Sequence, residues 1–287
     1  MQRSFSVPKG AWDTHFHVFE QGVATKAAAT GAYAPMDAPL SKLDAMHRRI
    51  GIERGVVVQS TAEVADYQGF VRFLGRNPRL RGVVRFTEAM TDADIERLHA
   101  AGVRGLRFAF ASFMKQQRVP KAVFDRAIQR VKPFGWHIKV HVEGSDLLEL
   151  EDWLRPLDVP LLLDHIAHIR PAPGLDQPAL RLLLDLHRKE SVWTLLCNCD
   201  RWSDQGAPDY ADSLPIARAL LRNAPDRVIW GTDWPHPMYR NPNAQGEPVP
   251  DDANLLRFVV EAADRDEALL GKVLVSNPAL LYDHAAK

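Results

Sequence analysis

The sequence predicts an α/β protein that folds as a (β/α)₈ barrel, and three observations lead to this prediction. The chain has 287 residues, and a barrel of this class usually takes about 250. Short β-branched runs alternate with amphipathic segments along the whole chain, which is the pattern of a buried parallel sheet with helices around it. No internal linker divides the chain. We therefore expect one barrel domain over residues 1–287, with an active-site loop at 235–250 and C-terminal helices within 251–281.

Eight runs have the composition of buried strands, a number that favours a closed barrel over an open sheet. The predicted strands are Trp12–His17, Gly55–Gln59, Gly82–Phe86, Gly105–Phe108, His137–Val142, Pro160–His165, Val192–Leu196 and Val228–Gly231. The segments between and after them repeat apolar residues three and four apart, as helices do. The predicted helices are Leu40–Ile50, Ala65–Arg76, Thr91–Ala101, Lys121–Phe134, Leu147–Leu154, Gln177–Lys189, Tyr210–Asn223, Asp251–Ala263 and Glu267–Val275.

Composition and charge exclude several classes of function. Hydrophobic residues make up 46% and charged residues 25% of the chain, which is typical of a soluble globular enzyme. Thirty-six basic side chains balance thirty-six acidic ones, so no global field attracts nucleic acid or an anionic membrane. The first residues lack the apolar segment of a signal peptide. We expect a cytoplasmic monomer or homodimer with no nucleic-acid or membrane partner.

The first predicted strand ends in two histidines. His15 and His17 are two residues apart, so their side chains point to the same side of the strand. At the carboxyl end of a barrel strand, that side is the mouth of the barrel, where active sites are built. Neutral imidazoles there can share a divalent metal or hold a substrate oxygen. The alternative is a pair of half-buried histidines with unrelated hydrogen bonds.

Three further polar residues stand at the ends of other predicted strands. His141 ends the fifth strand, His165 ends the sixth, and Asp233 follows the eighth. A hydrogen-bonded structural role is a good explanation for any one of them. Together with the two histidines of the first strand, however, they converge on one face of the barrel. This convergence indicates an active site.

The H-x-H pair, the strand-five and strand-six histidines and the strand-eight aspartate resemble the pattern of the amidohydrolase superfamily. Within it, the chain resembles the branch of the 2-pyrone-4,6-dicarboxylate lactonases and their relatives. The similarity runs along nearly the whole chain, through D-x-H-x-H-V-F, Y-A-P, V-V-V-Q, A-G-V-R-G-L-R-F, G-W-H, L-L-D-H, D-R-V-I-W-G-T-D-W-P-H-P and N-P-A-L-L-Y. The W-G-T-D-W-P-H-P segment is specific, whereas H-x-H alone would be weak.

The resemblance implies a hydrolase that opens a lactone ester. It makes Asp233 the general base that activates water, and it makes His15, His17 and His165 the residues that polarise the lactone carbonyl or stabilise the oxyanion. The substrate would be a small anionic lactone from aromatic compound catabolism. A metal-dependent decarboxylase of an aromatic or muconate-type acid is the alternative activity, and a catalytically silent barrel that binds a ligand is a third.

The resemblance also implies residues that bind the substrate. Arg107 and Arg201 would bind its acidic groups, because a guanidinium matches a carboxylate. Tyr33 and Gln59 would contact the substrate as well. The alternative for the two arginines is a structural ion pair at the surface or between strands.

The chain departs from the pyrone lactonase pattern at His141, where that metal-free enzyme has a tyrosine. His15, His17, His141 and Asp233 would supply three nitrogens and one carboxylate, a suitable set for one Zn²⁺ or Mn²⁺. In that arrangement His165 would help to activate the water. Arg107 occupies the region where a bridging residue would hold a second metal, so one ion is expected. Metal-free catalysis stays open as an alternative.

A second departure lies at Phe113, where the pyrone lactonase has another arginine that binds a carboxylate. Lys115 is the nearest cationic residue along the chain. This difference disfavours a dicarboxylate held by two arginines at that position. It favours a muconolactone-type substrate with a differently placed acid, for example a sulfonate, by analogy with the metal-containing sulfomuconolactone hydrolases of the same superfamily.

Overall fold

A computed structural model describes residues 5–20, 37–62, 64–115, 117–237 and 250–283. Its central feature is one sheet of eight parallel strands, in which the order across the sheet equals the order along the chain. This order confirms the predicted (β/α)₈ class. The strands are β1 (Trp12–Phe16), β2 (Arg54–Val58), β3 (Leu80–Arg85), β4 (Val103–Ala109), β5 (His137–His141), β6 (Leu161–Leu163), β7 (Val192–Leu196) and β8 (Val228–Trp230).

Helices connect the strands and follow the last one. They are α1 (Leu40–Ile50), α2 (Tyr67–Arg76), α3 (Asp92–Ala100), α4 (Lys121–Val131), α5 (Gly144–Glu149), α6 (Glu151–Leu154), α7 (Pro178–Leu186), α8 (Cys199–Trp202), α9 (Leu214–Asn223), α10 (Asp252–Ala262), α11 (Glu267–Gly271) and α12 (Asn277–Tyr282). A π-helical turn, Lys272–Ser276, joins α11 to α12. None of the helices in the described ranges is both long and apolar enough to cross a bilayer.

The alternation of side chains along the strands divides the core into two parts. Val56 and Val58 of β2, Trp193 and Leu195 of β7, and Ile229 of β8 belong to a cluster inside the barrel. Residues of the opposite register pack outwards against the apolar faces of the helices. The inner cluster also contains Leu281 and Tyr282 of α12, so the C-terminal helix closes the amino end of the barrel.

Backbone hydrogen bonds join the first strand to the segment that follows the last one. The amide of Asp233 donates to the carbonyl of His15 over 2.8 Å, and the amide of His17 donates to the carbonyl of Trp234, also over 2.8 Å. These bonds continue the parallel sheet around the barrel. They also set Asp233 beside the two histidines of β1.

Asp13 fixes this closing seam. Its carboxylate accepts hydrogen bonds from the backbone amide of Thr232 at 3.0 Å and from the hydroxyl of Thr232 at 2.6 Å. His47 of α1 lies 3.1 Å away through Nε2. A buried carboxylate with several donors is a rigid connection, so Asp13 ties β1, the end of β8 and α1 together.

Several predicted boundaries were wrong for identifiable reasons. The predicted strand Pro160–His165 ends at Leu163, because the backbone of His165, Ile166, Ala167 and His168 turns into the left-handed region with φ between 48° and 54°. The predicted helix Ala65–Arg76 begins at Tyr67, since the Asp66 side chain caps it by accepting from the amide of Gly69.

Two other predicted helices also differ. The helix predicted at Leu147–Leu154 is α5 followed by α6, and it begins earlier because Glu143 and Asp146 form a capping box. The helix predicted at Tyr210–Asn223 begins at Leu214 after a short 3₁₀ turn. Of the predicted loop 235–250, residues 238–249 lie outside the described part of the chain.

Candidate active site

A pocket opens at the carboxyl ends of the strands, on the face where the sequence placed the active site. Six of the predicted site residues line it: His17, Arg107, His141, His165, Arg201 and Asp233. His15 lies directly behind them and is fully buried. The remaining lining residues are Thr61, Phe113, Met114, Glu143, His168, Arg170, Trp202 and Pro237.

His15, His17 and Asp233 form a compact group at the floor of the pocket. Their ligand atoms lie within 4.8 Å of one another, and all three residues are buried. Oδ1 of Asp233 is 3.3 Å from Nε2 of His17 and 3.5 Å from Nε2 of His15. The group therefore presents two ring nitrogens to a single carboxylate oxygen.

The hydrogen bonds behind the histidines decide what these nitrogens can do. Nδ1 of His17 lies 2.8 Å from the carbonyl oxygen of Val58, and a carbonyl can only accept, so Nδ1 carries the proton. Nδ1 of His15 faces Oδ1 of Asp164 at 3.4 Å. In the neutral rings, Nε2 of both histidines then presents a lone pair to Asp233.

Lone pairs and a carboxylate that face each other need a cation or a proton between them. Burial, with the nearby Lys139, lowers the pKa of His15 to about 3, so this ring is neutral at ordinary pH. A histidine whose far nitrogen is held by a carbonyl or a carboxylate is the usual form of a metal ligand. The donor set of His15, His17 and Asp233 therefore fits a divalent cation.

A second group of histidines lies on the other side of the pocket. Nε2 of His141 is 2.7 Å from Nε2 of His168, and His165 completes this group. Nη2 of Arg107 lies 3.3 Å from Nδ1 of His141. Burial lowers the pKa of all three histidines, to about 3 for His168. The predicted four-residue ligand set is thus divided, with His141 in a different group from the other three.

His165 connects the two groups. Its ring centroid lies 4.7 Å from that of His15 and 5.2 Å from that of His141. When the Asn198 amide oxygen faces the ring, it accepts from Nδ1 of His165 over 3.0 Å and from Nη1 of Arg201 over 3.2 Å. Nε2 of a neutral His165 is then a proton acceptor.

A buried ion-pair network supports the site from below. Asp164 lies 2.8 Å from Nζ of Lys139 through Oδ1 and accepts from Nε of Arg107 over 2.9 Å through Oδ2. Burial alone would raise the pKa of Asp164, but Lys139 and Arg107 hold it well below its usual range. The Asp164 carboxylate is therefore ionised, and it orients both Arg107 and His15.

Arg201 forms the corresponding pair with the other aspartate. Its Nη2 lies 2.5 Å from Oδ2 of Asp233. Burial acts to raise the pKa of Asp233, yet Arg201 and the neighbouring histidines hold it well below the usual value. Asp233 is thus a carboxylate with one oxygen on Arg201 and the other toward His15 and His17.

Two predicted substrate contacts, Gln59 and Tyr33, are not among the pocket residues that the structure describes. Gln59 does not line the pocket; its side-chain oxygen accepts from the backbone amide of Arg85 over 3.2 Å. Tyr33 lies outside the described residues. The roles of Gln59 and Tyr33 stay predictions.

Sequence reasoning missed His168, Asp164 and Lys139. His168 reaches the pocket because four consecutive residues adopt a left-handed backbone. None of the four is a glycine, so the sequence does not indicate this turn. Lys139 gave a clearer signal, because a lysine in the middle of a buried strand needs a carboxylate partner. The first aspartate at the end of a neighbouring predicted strand, Asp164, is that partner.

The barrel and its histidine and aspartate residues define a protein of the amidohydrolase class. The family model described as amidohydrolase matches residues 12–283, and the chain belongs to this family. It is 37% identical over 280 residues to the 4-sulfomuconolactone hydrolase of Rhizobium radiobacter, with 97% of this chain and 92% of the relative covered.

Two further comparisons agree. The chain is 34% identical over 287 residues to a 2-pyrone-4,6-dicarboxylate hydrolase of Comamonas testosteroni, covering 97% of this chain and 92% of the relative. A crystal structure of an Agrobacterium tumefaciens protein, determined without ligand, matches with a TM-score of 0.81 and 26% identity over 98% of both chains. The resemblance read from the sequence motifs is confirmed.

Proposed function

We propose that this protein hydrolyses the ester bond of an anionic lactone. The substrate class is a carboxylated or sulfonated lactone of the muconolactone or pyrone-dicarboxylate type, formed in the breakdown of aromatic compounds. The observation that carries the proposal is the group of His15, His17 and Asp233 at the floor of a pocket that also contains arginines. The similarity to a 4-sulfomuconolactone hydrolase and to a 2-pyrone-4,6-dicarboxylate hydrolase supports the same chemistry.

The proton of the attacking water passes to Asp233. Its carboxylate is ionised and Arg201 holds one of its oxygens, so the other oxygen has a fixed position. Water adds to the lactone carbonyl carbon as Asp233 takes one proton, and Nε2 of His165 accepts a hydrogen bond from the other. The ester C–O bond then breaks, and the proton held by Asp233 passes to the leaving oxygen.

A divalent metal is the proposed cofactor of this site. His15, His17 and Asp233 would hold one ion, Zn²⁺ or Mn²⁺, with His141 as the predicted fourth ligand. When bound, such an ion supplies Lewis-acid polarisation of the lactone carbonyl. The Nδ1 hydrogen bond from His17 to Val58 fixes the ring orientation that this ligation needs.

The variant Asp233→Asn tests the proposal. Its amide keeps the size of the side chain but cannot take a proton, so kcat/KM for lactone hydrolysis should fall by at least about 1,000-fold. The assay follows ring opening at the absorbance of the lactone, with zinc content and circular dichroism measured on the same preparation. The exposed Asp209→Asn is the matched control and should keep full activity.

Three outcomes would reject the proposed reaction. Undiminished turnover by Asp233→Asn would remove Asp233 from the mechanism. Failure of the wild-type enzyme to open any lactone in a panel of carboxylated, sulfonated and unsubstituted rings would remove the reaction class. Release of carbon dioxide without ring opening would assign the decarboxylase activity instead.

A further inference from the structure

The cationic residues of the pocket are not equivalent. The lining contains three guanidinium groups, on Arg107, Arg170 and Arg201, and two carboxylates, on Glu143 and Asp233. The lining therefore contains one more guanidinium than carboxylate. The proposed substrate is an anion, so the position of the unneutralised charge determines where its acidic group binds.

Arg107 and Arg201 are engaged by the protein itself. Arg107 is 3% exposed and donates to Asp164, while Arg201 is 9% exposed and lies against Asp233. The charge of each of these guanidinium groups is thus balanced by a buried aspartate of the protein. Both groups keep further donors for a ligand, but neither adds an unneutralised charge to the pocket.

Arg170 differs from both. It is exposed at the side of the pocket, and no carboxylate lies within ion-pair distance of it in the part of the chain that the structure describes. Its guanidinium carbon lies 4.9 Å from the ring centroid of Trp202. A cation over an indole face is held in place without losing its hydrogen-bond donors, so the donors of Arg170 stay available to a ligand.

The surroundings of Arg170 fix its position relative to the floor of the pocket. Trp202 packs edge-on against His168, with ring centroids 4.9 Å apart, and His168 contacts His141. Glu143, the lining carboxylate that does not belong to the floor, caps α5 and accepts from its backbone. Glu143 forms no ion pair with Arg170 in the part of the chain that the structure describes.

Part of the pocket wall is apolar. Phe113 packs edge-on against His141 and His168, with ring centroids 5.6 and 5.2 Å apart, and Met114 follows it in the lining. Lys115, the cation next along the chain, does not line the pocket. The wall of the pocket thus offers apolar side chains to the ring of a lactone and the guanidinium of Arg170 to its acidic group.

We propose that Arg170 is the specificity-determining residue that binds the acidic substituent of the lactone, a carboxylate or a sulfonate, while Trp202 holds the guanidinium in place. This inference rests on the proposed function of the same site. It assigns Arg107 and Arg201 to positioning Asp164 and Asp233 within the protein. The planar guanidinium can give two parallel hydrogen bonds to either type of acid.

The test compares two substrates on the variants Arg170→Ala and Arg170→Lys. For a lactone that carries an acid, Arg170→Ala should lower kcat/KM by about 10- to 100-fold, mainly through KM, because one charge-assisted contact is lost. For the same ring without the acid, kcat/KM should stay within about 2-fold of the wild-type value. Arg170→Lys keeps the charge but loses the fork, so it should recover only part of the loss.

The control is Arg181→Ala, which removes an exposed arginine of α7 that does not line the pocket. Equal losses by Arg170→Ala on both substrates would indicate a general structural role and overturn the inference, as would an unchanged KM for the anionic lactone. A wild-type enzyme that opens neither ring would refute the proposed function itself. The two failures are therefore distinguishable.

Discussion

The two ends of the barrel both combine polar and aromatic side chains, but their titratable groups are arranged differently. At the amino end, Arg54 and Arg81 both pair with Asp283, and the guanidinium carbon of Arg54 lies 4.0 Å from the centroid of the Trp12 ring. Trp12 in turn stacks on Tyr282 at 6.2 Å. Every charge in this cluster has a partner within the protein.

The carboxyl end is built from similar residue types with a different result. Among the described residues, no hydrogen bond of normal geometry reaches either ring nitrogen of His15. The Nε2 atoms of His15 and His17 face the carboxylate of Asp233. Buried polar atoms without partners are costly. The amino end therefore stabilises the fold, whereas the carboxyl end presents buried polar atoms to a ligand.

Metal removal should have the largest effect and act on the carboxyl end alone. Prolonged treatment with a chelator should lower the lactone hydrolysis rate by more than about 100-fold, because the carbonyl loses its Lewis acid. Added Zn²⁺ or Mn²⁺ should restore the rate and raise the unfolding temperature, since a bound ion stabilises only the folded state. Rate, unfolding temperature and bound metal per chain are measured together.

The variant His17→Ala is the partner experiment for metal removal. It should purify with less bound metal than the wild type and should not regain activity when the ion is added back. A wild-type enzyme that keeps full activity after its metal content has fallen to zero would contradict the proposed metal site. His141 would then be a substrate contact and not a metal ligand.

The variant Tyr282→Ala should give the largest effect at the amino end. Tyr282 is fully buried against the inner cluster, and removing a buried aromatic ring costs about 3–5 kcal/mol of unfolding free energy. At temperatures where the variant is folded, kcat should equal that of the wild type. Denaturant unfolding and steady-state kinetics check the two halves of this prediction.

The same helix supplies a matched control. Leu280 is 67% exposed, so Leu280→Ala should change the unfolding free energy by less than about 0.5 kcal/mol. Loss of activity in folded Tyr282→Ala would show that the two ends of the barrel are coupled, contrary to the comparison.

The smallest expected effect is that of Asp283→Asn. It leaves Arg54 and Arg81 without their shared carboxylate, and all three side chains are between 23% and 28% exposed, so water replaces part of the lost interaction. We expect a loss of about 1 kcal/mol in unfolding free energy and no change in kcat/KM. The control Asp226→Asn removes an exposed pair with Lys272 and should lower the unfolding free energy less. Equal losses in the two variants would show that the pairs with Asp283 stabilise the fold no more than an ordinary surface ion pair.

Much of the site could be predicted from the sequence because the active-site residues of a barrel lie at the carboxyl ends of its strands. His17, His141, His165 and Asp233 each stand at or just after the end of an apolar run, and all four line the pocket. The functional division among them could not be predicted. It depends on the partner of Nδ1 in each ring, which is Val58 for His17, Arg107 for His141 and Asn198 for His165. These contacts join residues that are far apart in the chain.

His168 and Arg170 show the limit most clearly. Both follow a strand that the sequence predicts to continue through His165, and β-branched Ile166 favours extended backbone. The left-handed turn costs backbone energy at each non-glycine residue, so only surrounding packing can maintain it. No local pattern in the chain indicates that this segment enters the pocket.

The sequence by itself determined the barrel class, the order of its strands and the polar residues at the strand ends, because these follow from side-chain periodicity and short-range chain geometry. Only tertiary contacts fix the closing seam at Asp13 and the ion pairs of Arg107 and Arg201 with two aspartates. The same holds for Arg170, which has no carboxylate partner among the described residues. These features depend on ion pairs and hydrogen bonds between residues that are distant in the sequence. Such contacts form only when the folded chain brings these residues together.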